Sequence, residues 1–231
     1  MTQLIVAMIA FVGTHFLMSH PLRAPMVKAI GGGGFRIAYS LVAVVTFIWI
    51  IRAFGRAPIS DPLWPVDNGL LAVASALMLF GSILFAGSWF GNPALPYRPK
   101  AKEHAAAPAR GAFAITRHPM MWSFAIWALV HLLVSPQPRV VVLTLGIAFM
   151  ALVGSYGQDH KKKLLMGDAW ADWTSRTSFM IFGNQLTRRT GWSTALPGWT
   201  AVIAGTAIWL IATWAHPILG APAAGLWIWL D

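Results

Sequence analysis

Pro119-Met-Met-Trp-Ser-Phe-Ala-Ile-Trp-Ala-Leu-Val-His-Leu-Leu-Val-Ser135 contains no Asp, Glu, Lys or Arg, and its one ionisable side chain is His131. At 1.5 Å per residue such a helix covers about 25 Å, close to the thickness of bilayer hydrocarbon. The composition of the chain says which environment it meets. Its 231 residues are 57% hydrophobic and 10% charged, with a mean hydropathy of +0.63. Soluble domains carry about 25% charged residues. The run therefore reads as a membrane span.

Five more runs share this character: Leu4–Ser19, Ile37–Phe54, Gly69–Phe90, Val140–Gly157 and Gly198–Ala215. Prolines and glycines separate them, among them Pro21, Pro25 and Gly31–Gly34; Pro58, Pro62 and Pro65; Pro93, Pro96, Pro99 and Pro108; Pro136 and Pro138; Pro197; and Pro217. Trp64, Trp89, Trp122, Trp199 and Trp227 flank the runs, as interfacial belts require. The expected fold is all-α: one integral membrane bundle of about six transmembrane helices over residues 1–231, with a cytoplasmic amphipathic helix. The first run has no basic segment before it and no small-residue cleavage site after it, so it reads as a retained span. Leu226–Leu230 is too short to cross and is expected at the interface.

The net charge of +10 follows topology. Arg23, Lys28 and Arg36 fall in the first loop, Arg98, Lys100, Lys102, Arg110 and Arg117 in the third, and Lys161–Lys163, Arg176, Arg188 and Arg189 in the fifth. Only Arg52, Arg56 and Arg139 lie on the other side. The positive-inside rule then places the basic loops in the cytoplasm and both termini outside, in a bacterial inner membrane. Nothing accompanies the charge that would read nucleic acid, neither a basic helix nor an aromatic stacking motif. Membrane lipid is the expected partner. With no Cys in the chain, disulfides, thiolate-bound zinc and iron–sulfur clusters are excluded. A Walker loop, a dinucleotide fingerprint, a His-Glu-x-x-His motif and a nucleophile elbow are missing too.

An imidazole at membrane depth needs a partner. His15 lies about eleven residues into the first run and His131 about twelve into the fourth, roughly 17 and 18 Å from opposite faces. Both depths fall near the midplane, so the two are a candidate pair for one metal or for a proton path, set against packing by hydrogen bonds to neighbouring helices. His118, in Arg117-His118-Pro119, opens the fourth run where free N–H groups can hold an anion. His20 follows the first run as a supporting or surface residue. His104 is expected in solvent, His160 at the interface, and His216 in an unremarkable outer turn. The stretch Asp159–Phe182, with Leu164, Leu165, Trp170 and Trp173 among Lys, Asp and Arg, is expected to lie in the membrane surface. Its Asp159 can pair with Arg117 or His118.

Three segments, Ile115-Thr-Arg-His-Pro-Met-Met-Trp122, Trp127-Ala-Leu-Val-His-Leu-Leu133 and Thr177-Ser-Phe-Met180, with Asp159 and Gly167, resemble the NnrU family, which includes the 15-cis-zeta-carotene isomerases. His15, Arg23 and Phe35-Arg36 fit the same pattern, and the likeness covers roughly residues 5–182. The resemblance implies an integral membrane protein that, in the isomerase branch, binds haem b through two histidines and acts on an apolar polyene. Carried over, those ligands are His15 and His131. Arg117, His118 and Asp159 would form a cofactor-binding cluster at the cytoplasmic edge, for propionates, a lipid phosphate or a cofactor carboxylate. The isomerases have a Cys three residues before the second histidine, where this chain has Ala128, so a thiolate switch is not expected. The family name reflects an association with nitrite and nitric oxide reduction genes, and a non-enzymatic accessory role is a further reading. A second likeness competes. Arg117-His118-Pro119 and Gly167-Asp-Ala-Trp-Ala-Asp-Trp173 resemble the isoprenylcysteine and phospholipid methyltransferases, which bind S-adenosylmethionine. Gln158-Asp159 stands where those enzymes have two Glu.

Overall fold

The computed structural model describes residues 1–95 and 100–230, so Arg98, Pro96 and Pro99 lie outside the described residues. Ten α-helices follow in order: α1 (Thr2–Ser19), α2 (Arg23–Arg56), α3 (Asn68–Gly87), α4 (Ala101–Ala106), α5 (Ala112–Ile115), α6 (Pro119–Val134), α7 (Pro138–Met166), α8 (Asp168–Arg176), α9 (Gly183–Leu186) and α10 (Trp199–Ala215). Short 3₁₀ turns cover Trp192–Ala195, Pro217–Leu219 and Gly225–Trp229. There is no strand among the described residues. Four helices, α1, α2, α3 and α7, are long and apolar enough to cross a membrane, while α6 and α10 are shorter apolar helices. Proline at the first turn starts α6 and α7 without wasting an N–H, and the Asp67 carboxylate caps α3 by accepting from the Leu70 N–H at 2.7 Å.

The main packing runs from helix to helix in the order α10, α3, α6, α7, α1, α2. One apolar core joins α3, α5 and α6 through Leu84, Ile115, Ile126 and Val130. A second joins α1, α2 and α7 through Leu4, Met8, Ile50 and Ala53, with Val142 against them. Outward faces are apolar as well: Ile37, Leu41 and Val45 on α2 and Ile203 and Ile211 on α10 are all exposed. In water such surface would aggregate; in lipid it is the solvated face. Small residues let the backbones close up where helices touch. A Cβ on Gly205 of α10 would lie 2.5 Å from the Ile83 Cα of α3.

Four expectations need correction. Gly31–Gly34 is not a loop between spans. Helix α2 begins at Arg23 and is only broken at Gly31, whose φ of 71° and ψ of 168° belong to glycine alone. The fifth run does not stop at Gly157 but continues as α7 to Met166, carrying Asp159 and Lys161–Lys163 on helix. The amphipathic element is therefore only the nine residues of α8. Its Trp170 and Trp173 are buried against Ala94, Ala105, Phe113 and Met166, so its apolar face is spent on protein, not on the membrane surface. Leu164 and Leu165 instead point outward from α7. His104, expected in solvent, turns its Nδ1 into the protein.

Replacing Gly205 with Ala forces α3 and α10 apart and is expected to cost about 1–3 kcal/mol. Gly13→Ala, with nothing within 4 Å of the added carbon, should be neutral or stabilising. Thermal unfolding in detergent compares the two; equal midpoints would remove the close approach as a source of stability.

Candidate functional site

Helix α7 touches both α6 and α1, and the Arg117, His118 and Asp159 side chains meet where its basic end passes the start of α6. Arg117 donates from Nε and Nη2 to one Asp159 oxygen at 2.8 and 2.6 Å, and His118 Nε2 stands 2.8 Å from the other oxygen. His118 is 2% exposed. The segment after α8 closes over them. Thr116 Oγ1 and Trp122 Nε1 both donate to the Phe179 carbonyl at 2.7 Å, and the Arg117 guanidinium lies 5.4 Å from the Phe179 ring centre. The three predicted cluster residues are thus together. Their charges, however, face one another: the only carboxylate of the motif is engaged on both oxygens by the two basic side chains.

Beside this cluster lies a cavity of about 580 Å³, within the roughly 300–1,000 Å³ usual for ligand sites. Helix α1 supplies His15, Phe16 and Ser19; α2 supplies Arg23, Phe35, Arg36, Tyr39 and Ser40; α6 supplies Met121; and α7 supplies Met150, Gly154, Gln158, Lys161, Lys162 and Leu165, with His20 and Ala94 completing it. One wall is apolar and the rim is basic. The break at Gly31 separates Arg23 from the part of α2 that carries Phe35, Arg36 and Tyr39, and all four still reach the cavity. Gly157 makes room for the His20 ring, since a Cβ there would lie 2.5 Å from Nε2. Lys162 is buried, and its Nζ donates to the Pro93 and Leu95 carbonyls at 2.9 and 3.0 Å. With Gln158 Nε2 donating to the Ala94 carbonyl at 2.8 Å, it pins the Pro93–Leu95 segment to α7.

His15 and His131 are not brought together. Along α7, Met8 packs at Gly146 and His20 at Gly157, which sets His15 near the level of residue 152. The His118–Asp159 contact and the tight Ser135–Pro138 connection set His131 near residue 142. The two rings therefore stand against different parts of α7. His15 borders the cavity and His131 does not. His15 Nδ1 bonds the Phe11 carbonyl at 2.7 Å, and its ring lies 5.4 Å from Tyr39. His131 Nδ1 bonds the Trp127 carbonyl at 2.8 Å, its ring stacks on Trp127 at 4.1 Å, and His216 is 6.2 Å away. Burial holds the His216 imidazole below the usual histidine range. No three His, Asp or Glu side chains converge on a metal position among the described residues.

Sequence reasoning passed over Tyr39, took His216 as unremarkable and counted Lys162 only as loop charge. Lys162 sat in a run of three lysines that reads as solvated, and only the length of α7 turns one of them inward.

Replacing Asp159 with Ala leaves two basic side chains facing each other in a mostly buried site and is expected to cost about 2–3 kcal/mol. Asp172→Ala removes the exposed Arg176 pair and should cost no more than about 0.5 kcal/mol. Denaturation of the two variants in one detergent makes the comparison, and equal losses would deny Asp159 its role.

A family model described as NnrU protein matches residues 3–223, nearly the whole chain. No curated protein and no solved structure matches.

Proposed function

The chain belongs to the NnrU family, and on that premise we propose that it is a membrane protein holding haem b in the cavity at its basic end, with His15 as the imidazole ligand. The observation that carries this reading is the setting of His15. Its Nδ1 is tied to a backbone carbonyl, which fixes the ring and leaves Nε2 for a ligand, as metal-binding histidines are arranged. Phe16, Phe35, Met121 and Met150 offer an apolar face to a macrocycle, and Arg23, Arg36 and Lys161 offer cations to its carboxylates. This assignment replaces the paired ligation by His15 and His131. It also moves the carboxylate contacts from Arg117 and His118, which are engaged with Asp159, to the cavity rim.

When bound, haem would supply an iron able to exchange an electron with a conjugated chain and so lower the double-bond order that blocks rotation. The residues around it bind, orient and exclude water. An apolar polyene would reach them from lipid along the Phe16, Met121 and Met150 wall, and isomerisation of a cis double bond is the activity that the family resemblance implies. All six long helices, α6 and α10 included, are read as crossing the bilayer of a bacterial inner membrane, with the basic end in the cytoplasm and both termini outside. S-adenosylmethionine methylation is disfavoured by the engagement of Asp159, the one carboxylate its motif retains.

Protein purified in detergent should show a Soret band. His15→Ala should lower the haem content at least tenfold, and His131→Ala should leave it unchanged. A wild-type spectrum in His15→Ala would overturn the assignment, and a colourless protein that binds S-adenosylmethionine would favour the methyltransferase reading. Because the chain has no natural Cys, His104→Cys can be labelled alone in intact cells; labelling by a membrane-impermeant reagent from outside would invert the orientation.

A further inference from the structure

His118 has a second nitrogen that the Asp159 network does not use. Asp159, already held by Arg117, is an acceptor, so the neutral imidazole carries its proton on Nε2 and presents a lone pair on Nδ1. That Nδ1 is buried and has no hydrogen-bond partner in the protein. His118 lines a chamber of about 20 Å³, room for one ion or one water. The other walls come from Asn92, Met120, Met121 and Gln158, with Ala94 and Leu95.

The lining admits either occupant, with different donors for each. A buried water requires two to four polar partners. Asn92 is spent, its Nδ2 donating to the Ser88 carbonyl and its Oδ1 accepting from the Ala94 N–H. The Gln158 Nε2 is spent on the Ala94 carbonyl. A water would have the His118 lone pair and the Gln158 oxygen, the fewest partners a buried water needs, beside Met120 and Met121. A soft metal ion meets other donors: one imidazole nitrogen and two thioether sulfurs are those it prefers. The Asp159 carboxylate behind Nε2 is the outer partner that orients a ligating imidazole and raises its basicity.

We propose that His118 Nδ1, Met120 and Met121 form a binding site for a single soft monovalent metal ion, copper(I) in the first instance. The site adjoins the haem cavity, with which it shares Ala94, Met121 and Gln158 in its walls, but it does not require haem to be bound.

Copper(I), supplied anaerobically as its bicinchoninate complex to the full chain in detergent, tests the site. One ion per chain is expected to bind, at least tenfold more weakly in His118→Ala and in the double variant Met120→Leu/Met121→Leu. X-ray absorption at the copper edge should show sulfur and nitrogen together. His15→Ala should retain copper(I) binding while losing haem, so the two readings can fail separately. If His118→Ala does not fold, the double variant decides, because it leaves the Arg117–Asp159–His118 contacts in place. Wild-type affinity in the double variant, a spectrum without sulfur, no binding at all, or an ordered water alone in the chamber would each overturn the proposal.

Discussion

The Asp159 carboxylate is the contact on which the arrangement of the basic end depends. One oxygen takes two donors from Arg117 and the other faces His118, so the start of α6 is fixed to α7 by three polar contacts at 2.6–2.8 Å. Partial burial strengthens these contacts and makes each partner costly to remove alone. With α6 and α7 locked there, α1 lies on the far side of α7 and α3 on the far side of α6. The cavity is what remains between α1, α2 and α7 beside that lock. The backbone is tied in too, since the Arg117 N–H donates to the Ser178 carbonyl and the Phe182 N–H to the Ile115 carbonyl.

A bilayer gives no help to unpaired backbone, which is why the hydroxyls of the spans turn back on their own helices. Thr46, Thr144, Ser155 and Thr213 all donate to the carbonyl four residues before them. His15 and His131 use the same device with Nδ1. The shared habit makes the two histidines look equivalent, while their surroundings separate them: one ring belongs to a cavity with basic groups, the other to an aromatic stack beside His216.

The spans were legible because lipid demands long apolar runs and proline or glycine marks their ends. The runs beginning at Leu4, Gly69, Pro119 and Gly198 start within two residues of α1, α3, α6 and α10. The two misjudged ends share a physical cause. Glycine and charge both signal a stop in isolated sequence, yet α2 bends at Gly31 and resumes, and α7 carries Lys161–Lys163 for two more turns because Lys162 finds carbonyl partners. The Arg117–His118–Asp159 group was legible although 41 residues separate His118 from Asp159, because opposite charges at the same end of adjacent spans seek each other. The cavity was not. It depends on a backbone break and on which helices become neighbours, and neither is written in local periodicity.

The cavity also sits toward one end of the bundle, with its cations at the rim and its apolar wall running inward. A molecule with an acidic head and a greasy body, lying in the leaflet beside that rim, already has the orientation the cavity accepts. The same molecule in the opposite leaflet points the wrong way and would have to drag its charge across the hydrocarbon first, a passage costing several kcal/mol at the least. On the proposed reading the cavity would thus be sided: it would accept such a molecule from one half of the bilayer and not from the other.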